Sequence, residues 1–409
     1  SPRYNARDVS LVRGKKINAV VLLSSATPSL ETYYNYLNKK IKYLNLPKRF
    51  GNSKYPEVHL VNMETEQAES GKLGIIISGL LQSKIEDRLR KKEQIIILQN
   101  RRGHSPIIRC FDCEENMNCP HCKMTLSYHN ESSRLLCHSC GYFNKIIENC
   151  LYCNSKSIKY LGTGTQKIES IIKETFPKAK FARLDTDSAR KNNALTNTLK
   201  MFKNMEIDIL IGTQMIAKGL DFPNATLVGI VNADIGLNIP DFRSGERIFQ
   251  LLYQASGRAG RSQKRGEVII QTFSPDNSAI QHAVKLEIKE YYNLILKERE
   301  ELSYPPYSWL TRIEIIGNNK SYLISIAQKF KQRIRGQFEG LEILGPASCY
   351  YEKVKNQYRI QFVLKSLKVF DPNSKKLQSF IQKNFLNQSF KISSNKCKVN
   401  IHRDPLSLT

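Results

Sequence analysis

Eight of the ten cysteines fall between residues 110 and 153, each time as two cysteines with two residues between them. The pairs are Cys110/Cys113, Cys119/Cys122, Cys137/Cys140 and Cys150/Cys153. Two thiolates at this spacing can turn toward one ion in a tight knuckle, and two knuckles complete a tetrahedral four-sulfur shell. In a chain with no secretory signal, the pattern reads as zinc rather than disulfides. Eight ligands make two structural zinc centres, with no coordination position left for a reacting water. Spacing leaves the pairing open. The inner pairs, Cys119/Cys122 and Cys137/Cys140, are joined by a 14-residue loop that suits one ribbon, with the outer pairs closing around it; sequential pairing is the alternative. His121 and His138 lie inside knuckles, but eight thiolates suffice without them. Cys349 and Cys397 stand alone and read as ordinary buried thiols.

A second group of residues could handle phosphate. In Gln254-Ala-Ser-Gly257-Arg258-Ala-Gly260-Arg261, a helical backbone would put Gln254, Arg258 and Arg261 on one face. Glycine costs about 1 kcal/mol against alanine inside a helix, which close approach of a ligand or another lobe would explain. Arginine suits the task, because its fork grips phosphate bidentately and stabilises charge during phosphoryl transfer. The loop from Gly212-Thr213-Gln214 to Lys218-Gly219-Leu220-Asp221-Phe222 carries hydroxyl, amide, ammonium and carboxylate groups that could link a nucleotide to a nucleic-acid backbone. Ser25-Ala26-Thr27-Pro28-Ser29 offers hydroxyls that could equally cap a helix. Gly162-Thr163-Gly164-Thr165 could seat a phosphate at a helix N-terminus or serve as a flexible cap. These residues contain no Gly-x-x-x-x-Gly-Lys-Thr/Ser loop and no Asp-Glu pair followed by His. By themselves they cannot supply the phosphate cradle and metal-binding carboxylate of P-loop ATP hydrolysis.

The elements that position these groups follow from the apolar pattern. Short apolar runs at 19–23, 95–98, 207–211, 227–231 and 268–273 read as strands, with helical patterns between them. In Gln166–Phe176, Ile168, Ile171, Ile172 and Phe176 mark one helix face. Alternating strands and helices predict an α/β fold with parallel sheets. Polar loops at the carboxyl ends of such strands are where open sheets bind ligands. The cysteine segment interrupts this pattern as an insertion. One long helix is expected over 278–302, ended by Tyr304-Pro305-Pro306-Tyr307. Beyond it the order strand (311–316), helix (322–334), strand (342–345), strand (358–365), helix (374–385), strand (398–401) is that of a ferredoxin-like α+β domain.

Composition restricts the partners. The net charge is +26 over 409 residues, with 24% charged and 41% hydrophobic residues. A folded chain this basic usually meets a polyanion. No apolar run approaches the ~20 residues that span a bilayer, so membrane insertion and secretion are disfavoured.

Taken in order, the loops resemble the PriA (primosomal protein N′) family of replication-restart DNA helicases, within helicase superfamily two, over essentially the whole chain. The resemblance rests on Ser25 to Ser29, Asn100-Arg101-Arg102-Gly103, the four knuckles at intervals of 5, 14 and 9 residues, and Gly162 to Gln166. It continues through Gly212 to Phe222, Asn232-Ala233-Asp234, Pro240-Asp241-Phe242-Arg243 to Arg247, Gln254 to Arg261, and Tyr304 to Tyr307. The fold it implies is the end of one RecA-like helicase lobe (1–62), a second lobe (63–109 and 156–303), a two-zinc insertion (110–155) and a C-terminal DNA-binding domain (304–409). The resemblance implies nested zinc pairing: Cys110, Cys113, Cys150 and Cys153 in one site, Cys119, Cys122, Cys137 and Cys140 in the other. It implies that Arg258 and Arg261 reach the ATP phosphates with Gln254 beside them, Arg261 being the finger. Ser25, Thr27 and Ser29 would couple nucleotide state to DNA. So would Arg101, Arg102, Gly212, Thr213, Gln214, Lys218, Gly219 and Asp221.

The implied activity is ATP- and Mg²⁺-dependent 3′-to-5′ unwinding at stalled or branched forks. Implied partners are branched and single-stranded DNA, primosome proteins and single-strand-binding protein, for a monomer in the cytoplasm beside the nucleoid. The chain begins at Ser1 rather than Met and shows neither the phosphate loop nor the Asp-Glu-x-His box of such helicases. It therefore reads as a C-terminal portion, inactive alone. The alternative is a zinc-ribbon nucleic-acid-binding module without ATPase activity. A zinc hydrolase is disfavoured because four-thiolate sites are closed.

Overall fold

The computed structural model describes residues 5–46, 54–72, 74–99, 107–110, 112–113, 115, 117–121, 126–129, 134–137, 140, 142–145, 149–161, 165–184, 194–213, 216, 222–237, 239–260, 264–334, 336–386 and 397–408. It opens with α1 (Ala6–Lys16), α2 (Leu30–Leu37), β1 (Glu57–Asn62), α3 (Met63–Ser70), α4 (Gly79–Arg90) and β2 (Gln94–Leu98). The cysteine segment carries β3 (Ile107–Cys110), β4 (Ser127–His129), β5 (Arg134–Leu136), β6 (Phe143–Lys145) and β7 (Ile158–Leu161). The α/β pattern then resumes with α5 (Thr165–Thr175), β8 (Phe181–Leu184), α6 (Ala194–Lys203), β9 (Ile209–Gly212), β10 (Ala225–Ile230), α7 (Ser244–Ser256), β11 (Glu267–Thr272), α8 (Ser278–Lys285) and α9 (Ile288–Glu301).

The principal sheet runs β1-β11-β10-β2-β9-β8, with every described pairing parallel. Its central strands are buried along their whole length, because helices cover both faces; this is why they read as continuous apolar runs. Side chains alternate between faces. Ile96, Leu98, Leu210, Val228 and Ile230 meet Phe249, Leu252, Ile280 and Tyr291 on one side. Ile95, Ile97, Ile209, Ile211 and Leu227 meet Leu81, Ile85, Ile168 and Ile172 on the other.

Three expectations need correction. Residues 19–23 form no strand among the described residues. Val20 is 98% exposed and Leu22 81% exposed, and an extended segment becomes a strand only against a hydrogen-bonding neighbour. The helix expected over 278–302 is two helices. Leu286 adopts a left-handed conformation (φ 58°), and its N–H and that of Glu287 close the end of α8 onto Ala283 and His282. The expected division after residue 62 falls at the end of β1, which pairs residue for residue with β11 and forms an edge of the principal sheet. Sequence reasoning had also passed over β1 and β8.

The C-terminal part contains β12 (Ser308–Gly317), α10 (Lys320–Arg333), β13 (Leu341–Val354), β14 (Gln357–Leu367), α11 (Lys375–Ile381), a π-helical turn at Gln382–Leu386, and β15 (Cys397–Arg403). Its antiparallel sheet has the order β13-β14-β12-β15, which is the ferredoxin-like arrangement. Phe330, Phe362, Phe380 and Phe385 fill its core.

Candidate functional site

The cysteine module is a five-stranded sheet, β6-β5-β4-β3-β7, whose knuckles turn back on themselves through backbone bonds. Cys110 N–H donates to Glu115 O, Cys137 N–H to Tyr142 O, and Cys150 N–H to Ser155 O. These turns bring Cys110 Sγ to 3.5 Å from Cys153 Sγ and Cys113 Sγ to 3.6 Å from Cys150 Sγ. The four sulfurs lie within 4.8 Å of one another, as do those of Cys119, Cys137 and Cys140. Cys119 and Cys140 are 3.6 Å apart. Zn–S bonds of about 2.3 Å in a tetrahedron require sulfurs about 3.8 Å apart, so the donor set fits zinc. The pairing is nested, outer with outer and inner with inner. Cys122 lies outside the described residues.

Thiols this close cannot all ionise without a cation. Burial pushes Cys150 up, but the Cys153 and Tyr152 amides favour its thiolate and hold it at about 7. Cys113 accepts the Glu115 amide, yet burial and the sulfurs of Cys153, Cys150 and Cys110 leave it pushed up to about 12. The two solitary cysteines are unlike these. Cys349 is buried against Glu314, and burial lifts its thiol to about 11; Cys397 is raised by burial alone. The module also touches the C-terminal domain. Lys353 Nζ donates to Pro120 O at 3.0 Å and Asn356 N–H to His121 O at 2.9 Å, from the tip of the β13–β14 hairpin.

The second candidate region lies where the Ser25–Glu31 segment meets α7. Gln254 Nε2 donates to Thr27 Oγ1 at 2.6 Å, joining two residues that are 227 positions apart. Tyr292 OH donates to Pro28 O at 2.5 Å. Leu30 N–H reaches Glu246 Oε1 at 3.4 Å. Ser25 and Ser29 serve locally: Ser25 Oγ accepts from Thr27 N–H, and Ser29 Oγ caps α2 by accepting from Thr32 N–H. Arg7 also donates to Ser29 Oγ.

Beyond Gln254 the expected helix face is not continued. The helix α7 ends at Ser256, and Arg258 lies in the turn that follows, its N–H bonded to Ala255 O. Gly260 takes φ +63°, and a Cβ there would stand 2.2 Å from Gly266 N. Its glycine therefore answers to the chain's own close return, not to a ligand. Gly212 has a similar reason, since a Cβ would sit 2.5 Å from Leu184 O.

The remaining expected residues divide between the sheet's two ends. Thr213 follows β9 at the carboxyl end and is buried, its hydroxyl without a hydrogen-bond partner among the described residues. Asp234, after β10 at the same end, accepts from Thr272 Oγ1 at 2.5 Å and from Phe273 N–H at 2.8 Å. Gly260 N–H bonds to Ala225 O, which puts the Arg258 turn at the amino end. Arg101, Arg102, Gly162, Thr163, Gly164, Gln214, Lys218, Gly219, Asp221 and Arg261 lie outside the described residues.

Sequence reasoning missed a set of charged residues beside Thr27. Arg243 Nη2 meets Glu31 Oε1 at 2.7 Å, while Arg299 meets Glu246 Oε2 at 2.5 Å and Glu31 Oε1 at 3.4 Å. Burial opposes the charge on Glu31, but the two guanidiniums hold its carboxyl at about 2. Burial raises Glu246, with Arg299 acting against it. A signal was present in the Asp241-Phe242-Arg243 to Glu246 motif, but nothing local pointed to Glu31 or Arg299.

Three protein-family models match parts of the chain. Residues 142–263 match the helicase conserved C-terminal domain. Residues 119–143 match the PriA DNA helicase Cys-rich region domain, and 300–406 match the primosomal protein N C-terminal domain. The chain is 40% identical over 378 residues to the replication restart protein PriA of Chlamydia trachomatis, covering 91% of this chain and 50% of that protein. The corresponding protein of Bacillus subtilis is 39% identical over 365 residues (89% and 45%). That of Rickettsia felis is 36% identical over 405 residues (99% and 60%). The chain thus spans about half the length of the curated relatives it matches. Nearly all of it is similar to the C-terminal part of PriA, the family that its loop series resembles. The cysteine region match and the sulfur geometry together mark a structural zinc module. Among the described residues, no helix is long and apolar enough to cross a membrane.

Proposed function

We propose that this chain works as the C-terminal part of an ATP-dependent, 3′-to-5′ DNA helicase of replication restart, acting on stalled or branched forks. The observation that supports the reading is the hydrogen bond from Gln254 to Thr27, which joins the Ser25–Ser29 segment to α7, the helix that leads into the Arg258 turn. In this reading, Arg258 and Arg261 approach the phosphates of ATP, with Arg261 as the finger that stabilises charge in the transition state. Gln254 holds the Ser25–Ser29 segment against α7. Thr213, Gln214, Lys218, Gly219 and Asp221, with Arg101 and Arg102, contact nucleotide and tracked strand, on the loop that Gly212 begins. ATP and Mg²⁺ supply the phosphoryl chemistry in the complete protein.

The proposed organisation is the end of one lobe (1–56), a second lobe that includes β1 (57–109 and 156–303), a zinc insertion (110–155) and a DNA-binding domain (304–409). Two zinc ions per chain occupy the nested sites, Cys122 being the fourth inner ligand. The partners are branched and single-stranded DNA, primosome proteins and single-strand-binding protein, for a monomer in the cytoplasm. A second reading, a zinc-bearing nucleic-acid-binding module without ATP hydrolysis, is favoured for the isolated chain, which carries no phosphate loop.

The deciding experiment is strand separation and ATP turnover by the complete protein on forked DNA. Arg261→Ala is expected to lower turnover by about 10³-fold or more. A variant that unwinds like the parent would remove Arg261 from the mechanism. A complete protein that binds forks but hydrolyses no ATP would leave the second reading.

A further inference from the structure

The helix α7 offers one continuous polar face, but it runs backward from Gln254. Glu246, Gln250 and Gln254 stand at successive four-residue steps. Gln250 Nε2 donates to Glu246 Oε1 at 3.1 Å, between the contacts to Leu30 and Thr27. Pro28, in the same segment, is held by Tyr292 from α9. The Thr27–Leu30 stretch is thus held along α7 by directional bonds.

The same charges hold both ends of the C-terminal domain. Arg299, buried at 3% side-chain exposure, also donates to Pro305 O at 3.0 Å, where the chain enters that domain. Arg243 donates to Pro405 O at 3.1 Å, where the chain leaves it. Asp241 accepts from Ser407 Oγ at 2.6 Å and Leu408 N–H at 3.0 Å, and Arg247 donates to Leu406 O. Phe242 stacks on Tyr304 with ring centroids 4.5 Å apart, and the guanidiniums of Arg243 and Arg299 lie over its ring at 4.3 and 5.0 Å.

We infer that Glu246 and Arg299 are positioning residues that make the placement of the Thr27–Glu31 segment depend on the seating of the C-terminal domain. The physical reason lies in the guanidinium. Its fixed fork serves Glu246, Glu31 and Pro305 O at once, so moving one acceptor changes the geometry offered to the others. An apolar pair would fill the space as stably but would carry no such direction. The part of the inference that concerns DNA rests on the function proposed above: DNA held by the C-terminal domain would bias the segment that touches the motor's nucleotide-coupling loop.

Amide hydrogen exchange on this chain tests the coupling through a mutant cycle. The far end is perturbed by Asp241→Asn, which loosens the Ser407–Leu408 contact. The middle is replaced by the apolar pair Glu246→Leu with Arg299→Met, and unchanged protection of β10 certifies that this variant is folded. In the parent, Asp241→Asn is expected to speed exchange at residues 25–31 severalfold. In the apolar-pair background, exchange there starts about tenfold faster and Asp241→Asn adds nothing. An equal effect of Asp241→Asn in both backgrounds would overturn the inference. So would unchanged exchange at 25–31 in a folded apolar-pair variant. If the apolar pair fails to fold, Glu246→Gln takes its place in the same cycle. A single-stranded oligothymidylate should slow exchange at 25–31 in the parent. Protection confined to the C-terminal domain would break the coupling to DNA, whereas protection nowhere would sink the DNA reading and leave the cycle to decide the positioning role.

Discussion

In the cysteine module the ligands of each knuckle have only two residues between them, and one ion can gather them through turns closed by their own backbone. At the α7 seam, Arg299 meets partners 53 and 268 residues away, and no local turn brings them together. Both regions concentrate charge away from water, and both join the C-terminal domain to the rest of the chain. The first does so through the β13–β14 hairpin at Pro120 and His121, the second through Pro305 and Pro405. They differ in what holds the charges. Metal–thiolate bonds are strong and local, so the module's geometry survives a change of surroundings. The buried ion pair exists only because α2, α7 and α9 have already packed together, and its attraction barely exceeds the cost of leaving water.

The largest expected effect breaks the metal side of that comparison. Cys119→Ser should halve the zinc content and unfold the inner knuckles, since a structural zinc site contributes on the order of 10 kcal/mol to folding. Metal analysis with exchange mapping checks it, and exchange at Lys353–Asn356 should rise while α7 keeps its protection. Two zinc ions retained by the variant would refute the assignment.

Next comes Arg299→Met alone, which leaves Glu246 buried and unpaired and should cost about 3–5 kcal/mol in denaturant unfolding. Adding Glu246→Leu should recover most of that loss. A single variant as stable as the parent would show that the pair is not sealed from water.

A subtler difference lies in pH. The carboxyl of Glu31 is held at about 2 against an ordinary 4.5, so its ion pairs contribute stability that is present above about pH 4.5 and lost as pH falls toward 2. The shift corresponds to about 3 kcal/mol. Glu246, raised by burial, acts in the opposite sense and offsets part of it. Glu31→Gln should therefore flatten the acid side of the stability profile, and an unchanged slope between pH 5 and 2 would contradict the assignment. The smallest expected effect is Thr27→Val, which keeps the shape but strands the Gln254 amide, at about 1 kcal/mol in thermal unfolding. It sharpens the comparison by showing whether the contact between α7 and the Thr27 segment is more than packing.

Legibility followed the same division. The α/β alternation, the helix face at Ile168 and Ile172, the knuckles and the ferredoxin-like order could be read because each repeats within a few residues. The strand β1 was missed although Val58 and Leu60 alternate with polar neighbours, because a six-residue edge strand signals weakly against the loops around it. The strand expected at 19–23 has all the apolar character of one but no described neighbour to bond with. In Gln254–Arg261 the spacing suggested one helix face, but Gly257 follows the helix end and Gly260 turns the chain left-handed. Glu31 and Arg299 carry no local signal, because their partners lie 212, 268 and 53 residues away.

What the sequence determined by itself is whatever spacing enforces: four metal knuckles, the elements' periodicities and a strongly basic chain. The tertiary structure alone decided that the knuckles pair outer with outer, that α7 turns Glu246, Gln250 and Gln254 toward Thr27–Leu30, and that four charges from distant segments share one buried cluster. The reason is range. Backbone turns and side-chain periods act over a few residues and leave their mark in the string, whereas an ion pair or a lobe contact depends on which surfaces exclude water together, and that is settled only when the whole chain has packed.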